Sequence, residues 1–452
     1  MHDRRRGNAT PPLPNAKASI QHNARVTTLA LPGFLTFMLL AQPSAASTVT
    51  DEVDSLTALQ AQINSAMPGD LIVVKDGVYV TSAPITVDRR GAVGKPIRII
   101  AKTPGGVTIA GTDGFDVVSP AAYVEIDGFV LTHASGKTQV HSGATHIRFT
   151  HDVFECAGDG AYLTIAGDDT EVDRNEFRNK KTVGNMIDVR GAGSQVAQRV
   201  RIRQNYFHDF TSPGPGTNGA ETIRFGLSGL SMSKGLGVIE RNLFVRCIGE
   251  NELMSIKSGS NVIRDNTLLD SPGAQLTLRH GNENIVSGNY LRGTDGIRIF
   301  GDRNKVTGNY LERNTGGINI GNGDGEVADG AQLTAHDRPD ETVIEFNTLV
   351  DNERNYFMSP RANGMGATRT TFAGNIIQGG GEAASLPGPY PGGVWRDNRI
   401  WKTAGRGAMP PGGFAEMDVA RAPIQKTGMA AARPGTRQPL TPGELLDLIQ
   451  KR

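Results

Sequence analysis

The chain has 452 residues, with 47 Lys and Arg against 46 Asp and Glu, a formal net charge of +1. Gly is the outlier: 57 residues, well above the usual ~7% of a chain. Two cysteines exclude a disulfide scaffold, the lack of a triplet Gly period excludes collagen, and the balanced charge gives no support to bulk electrostatic binding of nucleic acid.

The first segment reads as an address. Residues 1–46 carry Arg4, Arg5, Arg6, Lys17 and Arg25 with Asp3 as the only acid, then an apolar run from Val26 to Ala41, then small residues at Ser44 and Ala46. Basic, apolar and small in that order is the pattern of a secretory signal. A membrane anchor is the alternative reading, but the run is short for a span and contains Pro32 and Gly33. Its removal takes away five basic residues and one acidic one, so the mature net charge becomes −3. No later run approaches a membrane span. The expectation is a protein exported to the periplasm or secreted, with no membrane contact in its mature form.

Next comes an amphipathic stretch at 55–66 (SLTALQAQINSA), closed by Pro68-Gly69, which predicts a helix. From there to about residue 402 helical periodicity gives way to short alternating stretches such as VEIDGFVL, QLTLRH and GIRIF, each reading as a strand of period two. A phrase recurs among them: Asn, one residue, then an apolar side chain. Its copies begin at Asn175, Asn205, Asn242, Asn266, Asn289, Asn309, Asn347, Asn375 and Asn398, with Asp152 as an acidic variant. A strand-and-turn unit with a basic spacing of 20–24 residues predicts a parallel β-helix, because a β-propeller blade needs about 40. The Asn side chains would stack as a ladder at one corner. The reading is therefore an all-β, single-domain parallel β-helix over 47–402, capped by the helix at 55–66. An irregular tail follows at 403–452, with a short helix near 442–451. Cys156 and Cys247 lie several coils apart, too far for a bridge, so two buried free thiols are expected.

Charge is placed unevenly on this frame. Aligning the strand ahead of each turn glycine stacks Arg224, Lys257, Arg279, Arg298 and Asn319 into one outward column. Like charges directly opposed on neighbouring strands repel, so such a column calls for a counter-anion. Upstream of Lys257, Glu250 and Glu252 stand two apart at a bend, with Asn218 about a coil earlier. Two carboxylates and an amide oxygen are a hard-oxygen set that suits calcium.

The phrases NGAETIR, GENELMSIKS, LRHG and GIRIFG, with INSAMPGDLIVVKDGVY near the start, together resemble polysaccharide lyase family 6, the family of alginate lyases and chondroitinase B. The resemblance runs over most of residues 55–400 and implies a right-handed parallel β-helix that degrades uronate polymers by β-elimination. It implies calcium ligands at Asn218, Glu250 and Glu252, the base at Lys257, the acid at Arg279, and groove positions at His280 and Arg298. Ala220 departs from the second glycine of the family's N-G-G-E phrase. Some family members work without calcium.

Elimination fits those residue types. The C5 proton of a uronate is weakly acidic while its carboxylate is anionic, and a bound calcium ion neutralises that carboxylate. A neutral Lys takes the proton, and a guanidinium stabilises charge on the departing oxygen. An anionic polysaccharide, alginate before dermatan sulfate, is the expected partner. A polygalacturonase-type hydrolase would need clustered aspartates, and Asp168-Asp169 has no evident partners. An epimerase would need the D-P-H-E motif, which is missing. A non-catalytic carbohydrate-binding β-helix accounts for the coils but not for the Glu-Glu-Lys-Arg set.

Overall fold

Short alternating segments separated by turn residues bury one face only. Ile97–Ala101 shows the result: Ile97, Ile99 and Ala101 are buried, and Arg98 and Ile100 are partly exposed. A computed structural model describes residues 52–387 and 391–418. Residues 1–46, read from the sequence as a secretory signal, and the helix expected near 442–451 lie outside the described residues. Three parallel sheets of 13, 14 and 12 strands run the length of the molecule, and each coil supplies one strand to each sheet. The chain is therefore a parallel β-helix with its apolar core enclosed by the three sheets. Inside, Phe154, Phe177, Phe207 and Phe244 stack coil upon coil at centroid distances of 4.4, 4.9 and 4.7 Å.

The helix Leu56–Ser65 packs Leu59 and Ile63 into the open end of the core, and the Ser55 hydroxyl caps it by accepting from the Ala58 N–H. Beyond residue 402 the strand Phe414–Glu416 adds to the second sheet alongside Asn398–Trp401. Among the described residues no helix is long and apolar enough to cross a membrane. Cys156 and Cys247 are free and buried, and burial pushes both thiols up to about 12.

The asparagine column forms one continuous ladder. From Asn175 to Asn398, each side-chain amide and each backbone N–H donates to the side-chain oxygen of the next copy, as in Asn242 to Asn266 at 2.9 and 3.0 Å. The residue ahead of each ladder position turns the corner with positive φ: Arg174, Gln204, Arg241, Asp265, Gly288, Gly308, Phe346, Gly374 and Asp397. Three of these nine corners, Gly288, Gly308 and Gly374, use glycine's freedom. At the others the left-handed turn costs roughly 1–2 kcal/mol, and the buried amide network offsets it. A shorter second ladder, Asn261–Asn284–Asn304, marks another corner.

Asp152 ends the main ladder. One oxygen accepts from the Phe129 N–H at 2.8 Å, while Oδ2 is buried without a partner. Burial pushes this carboxyl well above its usual range, so the fold favours the protonated, amide-like form. A raised folded-state value means that stability is lost as pH rises above the unfolded value of about 3.9. Asp152→Asn should therefore stabilise the protein by about 1–3 kcal/mol at neutral pH and flatten that decline. Thermal denaturation at mildly acidic and mildly alkaline pH checks this, and an unchanged or lower Tm at both would refute it.

Candidate active site

The outer face of the third sheet carries the site residues expected from the sequence, on or beside the strands Ile187–Val189, Ile223–Phe225, Glu252–Lys257, Gln275–His280, Ile297–Ile299 and Ile318–Ile320. Inward positions such as Met254, Ile256, Leu276 and Leu278 are fully buried. The alternation of side chains then turns Ser255, Lys257, Thr277 and Arg279 to the opposite face.

The register corrects the column drawn from the sequence. Arg224 lies opposite Ser255, and the row continues through Thr277, Arg298 and Asn319. Lys257 and Arg279 sit two residues further along their strands, in a neighbouring row. The misalignment came from treating turn glycines as equivalent: Ile223 pairs with Met254 rather than Ile256. A β-bulge then sets Lys257 opposite His280, displacing Arg279 from simple pairing. Because strand residues two apart share a face, all five side chains still belong to one side of the sheet.

Each cation there has an internal counter-anion, which removes the repulsion that a bare column would carry. Lys257 Nζ lies 3.0 Å from Glu221 Oε1. Arg279 Nη1 lies 2.9 Å from Glu252 Oε1, and Arg298 pairs with the same oxygen. Arg224 makes a two-point pair with Asp188, at 2.9 and 2.7 Å. Ser255 donates to the second Glu252 oxygen. Glu250 accepts from the N–H groups of Gly219 and Ala220, at 2.6 and 3.0 Å, and so fastens the Asn218-Gly219-Ala220 segment over the site.

Glu221, Glu250 and Glu252 each bring an oxygen within 4.8 Å of the others. Burial, and next to it the Glu221 charge, raises Glu250 above the ordinary carboxylate range. Three crowded carboxylates of this kind fit a hard divalent cation. Glu221 is the residue that sequence reasoning missed, although it stood inside the NGAETIR phrase; its Oε2 accepts from Asn185 at 2.8 Å. Asn218 is exposed, in the connection ahead of Ile223. His280 is almost fully buried, and burial together with Arg279, His336, Lys257 and Arg298 pushes it down to about 3.

The sequence profile of the family described as chondroitinase B matches residues 53–369. The chain belongs to the chondroitinase B family, the polysaccharide lyases of family 6. Among solved structures of that family, the alginate lyase AlyGC is 26% identical, with a TM-score of 0.72 over 86% of this chain and 58% of its own. A mannuronic-acid-specific family 6 lyase from human gut microbiota is 25% identical, with a TM-score of 0.67 over 77% of this chain and 84% of its own. Pedsa3628 from Pseudopedobacter saltans, 18% identical with a TM-score of 0.67 over 84% and 98%, shares the fold. This chain thus spans little more than half the length of AlyGC. No curated protein matches it by sequence. In this chondroitinase B-family chain the groove continues past Arg298 to Asn319, which exchanges hydrogen bonds with Ser359.

Proposed function

We propose that the protein is a polysaccharide lyase that cleaves a uronate polymer, alginate before dermatan sulfate, by calcium-assisted β-elimination. The observation that carries this reading is the convergence of Lys257, Arg279 and Arg298 on Glu221, Glu250 and Glu252 at one face of the sheet. Glu221, Glu250 and Glu252, with Asn218 in the adjacent connection, are the residues to hold calcium. Bound there, the ion would neutralise the substrate carboxylate and so make the C5 proton more acidic.

The remaining steps belong to the chain itself. To take the C5 proton, Lys257 Nζ must first give up its own proton to solvent, a step that a cation taking Glu221 away as its ligand would favour. The C5–H electron pair forms the C4–C5 double bond as the C4–O4 bond breaks. Arg279 stabilises the negative charge on departing O4, which ends as a hydroxyl by taking up a proton. Arg298 orients the uronate carboxylate, and buried His280 keeps water from that side. Arg224 stays tied to Asp188 and shapes the groove wall. Export directed by residues 1–46 would bring the enzyme to its polymer in the periplasm or outside the cell.

The test is the ultraviolet absorbance of the conjugated product, followed on alginate, dermatan sulfate and a neutral glucan with and without chelator. The expected result is a rise on alginate that chelation slows and calcium restores. No rise on either uronate polymer, with or without calcium, would refute the proposal.

A further inference from the structure

The second sheet, which runs from Gly77–Thr81 to Phe414–Glu416, turns an apolar surface away from the core. Phe244, Leu291 and Leu349 point inward and are fully buried. Alternation and register therefore send Leu243, Val245, Leu269, Tyr290, Tyr310 and Val350 to the outer face. These six form a cluster of their own, separate from the core, and are only 0 to 7% exposed. Among the described apolar residues Tyr206 alone packs against the cluster from outside it. We infer that residues 419–452 of the same chain lie across this face and close it. The inference is independent of the lyase reading.

The place where the described residues end argues for this occupant. The strand Phe414–Glu416 is the last of the same sheet, and the described residues stop at 418. At about 4.8 Å per strand, the cluster begins roughly 14 Å back along that sheet, at Thr348–Val350, and ends roughly 34 Å back, at Leu243–Cys247. The 34 residues from 419 to 452 reach about 110 Å when extended, so length does not limit them. Joined to the sheet that they would cover, they stand beside it at an effective concentration on the order of millimolar. A second molecule does not reach that in dilute solution.

The chemistry of the two partners matches. Leu445, Leu446, Leu448 and Ile449 fall on one side of the helix expected near 442–451. Ten helical residues are about 15 Å long, the width of about three strand spacings. Laid along the axis, that helix would cover Leu269, Tyr290 and Tyr310. Charge points the same way. Glu312, on the outer face, is almost fully buried and accepts from the Tyr290 hydroxyl at 2.6 Å. A buried carboxylate favours a cationic neighbour, and residues 419–452 bring six Lys and Arg against two Asp and Glu.

The test uses the full chain with the photo-cross-linker p-benzoylphenylalanine in place of Tyr206 or of Tyr310, irradiated in dilute solution. Peptide mapping should find the cross-link within one molecule, to a peptide from residues 419–452. A cross-linked dimer would overturn the inference in favour of a second copy, and a cross-link to residues 1–46 would overturn it in favour of the N-terminal segment. In the full chain without the probe, Leu445→Asp combined with Ile449→Asp should raise the fluorescence of an apolar dye severalfold. The same pair should lower Tm by about 5 °C or more, while the rate of double-bond formation at moderate temperature stays close to that of the parent. Cross-links confined to residues 52–418 would overturn the inference, as would parental dye binding and Tm in the double variant.

Discussion

Replacing Lys257 with Ala is expected to cut the rate of double-bond formation by at least about a thousandfold, with circular dichroism and Tm close to those of the parent. General-base groups contribute about 10²–10⁴-fold, and Lys257 is the lysine paired with the carboxylate cluster. Lys257 ends its strand with its side chain on the outer face, so its removal leaves the buried row of Leu253, Met254 and Ile256 intact. The substitution does leave Glu221 without its cation. Glu221 keeps its Asn185 donor, and calcium in the assay would supply the missing charge. Arg279→Ala should cost activity as well, and it also strips Glu252 of one of its two guanidinium partners. A loss of stability therefore accompanies the loss of activity in that variant. Parental activity in Lys257→Ala would remove the base from this account.

Calcium should stabilise the folded protein whether or not substrate is present. In the cation-free cluster, burial and the neighbouring Glu221 charge raise Glu250, which means that its ionised form is disfavoured in the fold. A raised carboxylate costs stability as pH rises through its range, and a bound divalent ion reverses that cost. Calcium at a hundredfold excess over Kd would add about 2.7 kcal/mol, seen as a higher Tm near neutral pH. The gain should fade as pH drops and the carboxylates protonate. Glu221→Gln should weaken calcium binding by roughly tenfold or more, since a hard cation favours an anionic oxygen over an amide. A Tm indifferent to calcium and chelator across this pH range would rule out the triad as a calcium site.

The coils were legible because their signal is repeated. Nine Asn phrases report one corner nine times, and the structure joins those side chains into one ladder. Asp152 was recognisable for the same reason. The left-handed residue ahead of each Asn was not, since Arg, Gln, Asp, Gly and Phe all occupy it and share no chemistry. The active face was legible in composition but not in register. A turn glycine fixes where a strand ends only to within two residues, and two residues is the period at which a side chain returns to the same face. The slip therefore moved Lys257 and Arg279 to the neighbouring row without turning them away from the groove. Glu221 was hidden differently. It stood within the NGAETIR phrase with no role assigned to it; only the fold shows that Lys257, one coil on, reaches back to it.

Mass spectrometry of the fragments from a defined oligouronate tests the central claim most directly. Elimination breaks the chain without adding water, so the account predicts that the fragment with the new non-reducing end is lighter by one water than its hydrolytic counterpart and absorbs in the ultraviolet. Fragments that both carry the full mass of hydrolysis products would contradict it, however well Lys257, Arg279 and the three glutamates are placed.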